Sequence, residues 1–170
     1  MDKSNGKLQR QVNHNTIARW LGFGLLFTVL ILSSSCGSSA NSELERNEEL
    51  WQSQNLTGYD FTLERQCFCP TDYQGPVNIQ VRNGEVTSVT YVSNGETADA
   101  EIFADVDTID ELFKVIRDAY EGKNTFHKKA ETVNVTYNPE MGYPLTILID
   151  ISSQIMDEEE GYTVEELVGR

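Results

Sequence analysis

Two cysteines one residue apart, Cys67-Phe68-Cys69, are the side chains best able to do chemistry in this chain. Alternate residues of a strand share a face, so an extended run from Tyr59 onward puts both thiols on one side. An extended strand also holds their Cα atoms near the upper limit of disulfide geometry, so a bridge requires a local kink, which Pro70 helps to impose. In an oxidising compartment two near cysteines usually bridge, which makes Cys67 and Cys69 a possible disulfide. The competing reading is thiol–disulfide redox chemistry. That needs a thiolate stabilised by a helix N-terminus or a cation, and the one close cation in sequence is Arg65. Two cysteines and one distant histidine make a poor zinc set, so no metal site and no cofactor are expected.

The acids are the second candidate. Asp105-x-Asp107-x-x-Asp110 resembles a calcium loop but lacks the glycine at position six and the glutamate at position twelve. A plainer role follows from position, since acids near a helix N-terminus favour its dipole. Asp157-Glu158-Glu159-Glu160 is a run of four acids before Gly161; it reads as a solvated loop, with weak calcium or cationic-partner binding as the functional alternative. His127 stands beside Lys128 and Lys129 in a polar link, and no Ser-His-Asp or Cys-His set can be assembled around it. Tyr73 and the Gly142-Tyr143-Pro144 turn could line a binding groove, although aromatics mostly serve as core. No phosphate loop or dinucleotide fingerprint occurs.

The composition bounds what these residues can serve. The chain has 170 residues with 13 Lys+Arg against 27 Asp+Glu, a formal net charge of −14. That length suits one domain, and that charge argues against nucleic acid as a partner. Residues 1–35 read as an export signal. Lys3, Lys7, Arg10 and Arg19 precede the uncharged run Trp20 to Leu32, which is shorter than the ~20 residues a spanning helix needs. Small residues follow, and Cys36 is placed to be the lipidated first residue of a mature bacterial lipoprotein. Ordinary cleavage after Ser35 and a retained anchor are the alternatives. Removing residues 1–35 makes the remainder more acidic, so a lipid on Cys36, not a basic surface, would attach it to the membrane. The expected location is the bacterial cell envelope, facing the periplasm or the exterior.

The elements that must position these residues can be read in order. Residues 36–42 form a small, polar tether, and residues 43–170 form one domain. Ser42 and Glu45 make a capping-box pattern that predicts a helix from Glu43 to about Gln54. Tyr59, Phe61 and Leu63 alternate with polar residues, as do Val77, Ile79 and Val81, and Asn83-Gly84 marks a hairpin. The returning strand from Val86 to Val92 changes parity, which predicts a bulge near Thr87 or Ser88. Thr108 and Glu111 open a second helix, carried by Ile109, Leu112, Phe113, Ile116 and Tyr120 and stopped by Gly122. Val133, Val135 and Tyr137 give a fourth strand, Leu145 to Ile151 a fifth, and Thr163 and Glu166 hint at a short terminal helix. The expected fold is α+β in two layers: about five antiparallel strands, two main helices on one face, order α-β-β-β-α-β-β. A helix-then-meander pattern recurs faintly in the two halves.

Tyr59-x-Phe61, Cys67-Phe68-Cys69-Pro70, Gly75-Pro76-Val77, Arg82-Asn83-Gly84, Thr108-Ile109-x-x-Leu112-Phe113 and Tyr137-Asn138-Pro139-x-x-Gly142-Tyr143-Pro144 occur in this order. Over about residues 48–168 the chain thereby resembles a family of small secreted bacterial proteins and lipoproteins classed as a domain of unknown function. The resemblance implies an envelope location and a compact α+β domain, and no activity. The function expected is therefore a non-enzymatic envelope lipoprotein that binds an envelope protein or a small ligand. The alternatives are a thiol–disulfide redox protein using Cys67 and Cys69, and a calcium-responsive acidic module.

Overall fold

A computed structural model describes residues 39–170. Residues 1–35, expected to be an export signal, and Cys36 lie outside the described residues. The elements run α1 (Ser39–Ser53), β1 (Gly58–Gln66), β2 (Val77–Arg82), β3 (Glu85–Tyr91), α2 (Ala100–Phe103), α3 (Ile109–Glu121), β4 (Thr132–Tyr137), β5 (Pro144–Asp150) and β6 (Glu160–Gly169), with a single 3₁₀ turn at Thr71–Tyr73. All six strands form one antiparallel sheet in the order β3-β2-β1-β6-β5-β4.

The α+β class holds, and the strand count and order are corrected. The terminal segment is a strand, not a helix. Thr163 and Glu166 mimic a capping pattern, but Tyr162 and Val164 alternate inward and are buried, and this tertiary burial outweighs the local signal. β6 fills the middle of the sheet between β1 and β5. A register shift against Asp60 and Thr62, with Glu166 at a positive φ of 53°, absorbs the extra residues. The first helix also starts earlier than expected, at Ser39. Ser42 does not cap it; its hydroxyl donates to the Ser39 carbonyl at 2.9 Å, one turn back. Each half is a helix followed by a three-stranded meander, but the first strand of one half adjoins the last strand of the other.

Other sequence signals translate directly. Asn83 and Gly84 both have positive φ, 55° and 77°, as a tight hairpin turn demands. Gln80 pairs with Ser88 and Val81 with Val86, which leaves Thr87 as the bulge residue. The Thr108 hydroxyl accepts from the Glu111 amide at 3.1 Å and caps α3, and Gly122 ends that helix.

The core lies between one sheet face and the helices. Tyr59, Phe61, Leu63, Val77, Ile79, Val81, Ile147, Tyr162 and Val164 point toward Trp51 of α1, Phe103 of α2 and Leu112, Phe113 and Ile116 of α3, all buried. Trp51 meets Tyr59 and Tyr143 edge-on, at ring-centroid distances of 5.2 Å and 6.2 Å. Arg117 and Glu48 join α3 to α1. Close approach of the turn before β5 to α1 rests on Gly142, whose φ is 84°. A Cβ there would run into the Asn47 carbonyl and lie 2.9 Å from both Leu50 Cβ and the Trp51 amide nitrogen. The opposite sheet face is polar, with Thr62 bonded to Asn78 and Thr136 to Thr146 across strands.

Candidate functional site

A groove of about 510 Å³ lies on the polar sheet face. Its floor is a row set by strand register. Gln66 of β1 faces Gly161 of β6, Gly161 faces Leu148 of β5, and Leu148 faces Asn134 of β4. Four consecutive strands thus contribute one residue each. Gly161 carries no side chain, and Leu148 Cδ2 and Gln66 Cβ stand 3.1 Å and 3.3 Å from where its Cβ would be. The glycine keeps the centre of the row shallow, so its neighbours lean over it.

Two loops wall the groove. One is the cysteine loop. β1 ends at Gln66, and Cys67 and Cys69 sit beyond it on a bend with their sulfurs at bonding distance and Cα atoms 5.2 Å apart. The kink expected from sequence is the end of the strand itself. Phe68, between the cysteines, is 81% exposed, and Cys67 and Phe68 both line the groove. Gln74 braces the loop by donating to the Cys69 carbonyl at 3.1 Å.

The other wall is the acidic run. Asp157, Glu159 and Glu160 line the groove, while Glu158 turns inward and is buried. The Glu158 carboxylate accepts from the amides of Ile151 at 3.0 Å and Ser152 at 2.7 Å. Glu131 accepts from the Ser153 amide at 2.9 Å. These charge-assisted bonds fix the loop that leads from β5 to the acidic run. Burial, then Glu158, Glu159 and Glu131, pushes the Asp150 carboxyl above the ordinary aspartate value.

The structure thus brings together two motifs that lie about ninety residues apart in the chain, the cysteine pair and the acid run. Other sequence candidates fall elsewhere. Tyr143 is buried against Trp51, and Tyr73 lies in the 3₁₀ turn near the far end of β1, so the two do not share a site. Asp105 pairs with Arg65 at 2.6 Å. Arg65 is buried on the helix-covered face, its guanidinium 6.0 Å from the Phe103 ring centroid and 5.6 Å from that of Tyr162. The cation nearest the cysteines in sequence is therefore occupied. Asp107 and Asp110 flank the start of α3, and burial raises the carboxyl of each, Asp107 to about 6. Desolvation outweighs the helix dipole there. His127 sits in an exposed turn with its amide bonded to the Asn124 carbonyl. Among the described residues no three His, Cys, Asp or Glu side chains converge to hold a metal ion, and no helix is long and apolar enough to cross a membrane.

Sequence reasoning missed Leu148 and Gly161. Leu148 is 52% exposed on β5, out of phase with buried Ile147 and Ile149. An apolar residue at an outward parity position is the signal that could have found it. No curated protein and no solved structure matches the chain. Residues 43–169 match a family of unknown function (DUF6174), which spans nearly every element described above, and the chain belongs to that family.

Proposed function

We propose that this protein is an exported bacterial lipoprotein, held to the envelope by a lipid on Cys36, and that its α+β domain is a non-enzymatic binding module. The observation that carries the binding role is the groove: a concave, partly apolar site on the polar sheet face, walled by two braced loops. An envelope protein or a small ligand fits such a site. The basic start, the short apolar run and the small residues around Cys36 support the anchor. Filling the groove floor tests the binding role. Gly161→Val places methyl groups between Gln66 and Leu148, and it should abolish ligand-dependent thermal stabilisation in a screen of envelope extracts and small metabolites. Identical stabilisation of both forms would exclude the groove.

Thiol–disulfide exchange is the second reading, favoured by Cys67 lying on the groove wall. Against it stand the pairing of Arg65 with Asp105 and the absence, among the lining residues, of any cation that would stabilise a thiolate.

A further inference from the structure

The groove is charged with one sign. Asp150, Asp157, Glu159 and Glu160 line it, and no Lys, Arg or His does. Asp150 Oδ1 is buried and accepts no hydrogen bond among the described residues. A buried acceptor left without a donor is costly, and one at a groove wall can be met by a donor from outside the chain. The carboxylates are spread along the walls: no three acids converge on one point, and Glu160 already accepts from the Tyr162 hydroxyl at 2.8 Å. Such spacing suits several monovalent donors on an extended molecule better than one divalent ion, which needs converging oxygens.

The apolar part of the groove asks for something else. Phe68 and Leu148 are 81% and 52% exposed and both line the groove, and Leu148 faces Gly161 directly from β5. Exposed apolar side chains beside a concave floor mark an interaction site. From β1 to β4 the row crosses three inter-strand steps, about 14 Å, which is the reach of about four extended residues.

We infer that the groove takes a short extended peptide segment that carries Lys or Arg near an apolar side chain. The apolar side chain enters the notch beside Leu148, and the cations meet Asp150, Asp157 and Glu159, which lie together where β5 and the acidic run meet. This inference rests on the binding role proposed for the groove and specifies its occupant by charge complementarity.

The test uses the full chain, ¹⁵N-labelled and purified in an uncharged detergent, with the amide signals of Gly161, Leu148 and Asn134 as readout. The probes are acetyl-Lys-Ala-Phe-Ala-Lys-amide, its Glu-for-Lys analogue, its Ser-for-Phe analogue and calcium chloride. The Lys-Phe peptide should bind at least about tenfold more tightly than the Glu analogue, because two opposed rim charges become two like ones. Asp157→Asn combined with Glu159→Gln should weaken it about fivefold, the loss of two exposed pairs. Both positions are exposed, so that variant should fold. Leu148→Ser should abolish the preference for Phe over Ser. Movement of these amides by the Glu analogue alone would overturn the peptide class and keep the groove as a site. Calcium binding tighter than about 10⁻⁴ M at the same amides would replace it with the calcium-responsive reading. Silence of these amides toward every probe would overturn both this inference and the binding role of the groove.

Discussion

Alanine at position 142 should be far more damaging than alanine at position 84, although both glycines have nearly the same backbone conformation. Their φ values are 84° and 77°. Forcing an L side chain into the left-handed region costs about 1–2 kcal/mol at either site. At Gly84 the cost stops there, because nothing lies within 4 Å of the added Cβ. At Gly142 the Cβ meets the backbone of α1 at Asn47 and Trp51, and backbone cannot rotate away. The helix must shift, and the limit of that shift is release of Trp51 and Leu44 from the core. Exposing two such side chains forfeits about 3–6 kcal/mol. Partial displacement places the Gly142→Ala loss at about 3–5 kcal/mol. Urea unfolding of both variants measures the difference, in a Trp20→Phe background so that Trp51 is the single tryptophan. Gly142→Ala should also shift native Trp51 emission to the red, and Gly84→Ala should leave it unchanged. Equal losses with unchanged emission would refute the close-approach argument.

Cys36→Ala should abolish incorporation of a fatty-acid analogue and release the protein from membranes; equal labelling of both forms would exclude lipidation. Replacing Cys67 and Cys69 by Ser should cost only about 1–2 kcal/mol in urea unfolding, since the loop they close is tiny. A redox titration that places the pair near the oxidoreductases, with rapid alkylation below pH 7, would instead promote the thiol–disulfide reading. Burial pushes the Asp107 carboxyl up to about 6, well above the ordinary aspartate value. A raised acid contributes its stability fully below its unfolded pKa and loses it as pH rises through the folded value. Asp107→Asn should therefore flatten the decline in stability between about pH 4 and 6 and stabilise the protein at pH 7, as read from urea midpoints across that range. No change in the pH slope would mean that Asp107 stays charged without cost.

The sequence made the first half of the sheet and α3 legible because their signals are local. The alternation of Tyr59, Phe61 and Leu63, the Asn83-Gly84 turn, the parity break at Thr87 and the Thr108 cap each act within a few residues. β6 was hidden for the opposite reason. It buries only Tyr162 and Val164 with clear alternation, its far half carries Glu165 and Glu166, and its strand state is decided by β1 and β5 on either side. The groove was illegible for the same cause. The motifs that wall it could be singled out from residue type, but their meeting depends on the pairings of Gln66 with Gly161 and of Gly161 with Leu148, which no short window of sequence contains. Tyr143 misled because an aromatic in a Gly-Pro turn looks presented, whereas Gly142 lets that turn press against α1.

The central position of the last strand has a consequence for when the protein can fold. Until Glu160–Gly169 has been synthesised, β1 and β5 have no neighbour on their inner sides, and β3-β2-β1 and β5-β4 remain two separate ribbons. An isolated two-stranded ribbon such as β5-β4 is at best marginal in water, so the second half of the sheet depends on β6. Joining the two ribbons waits for β6. A chain cut before Glu160 would leave β1 and β5 without the strand that joins them and the apolar faces of both ribbons without their shared core.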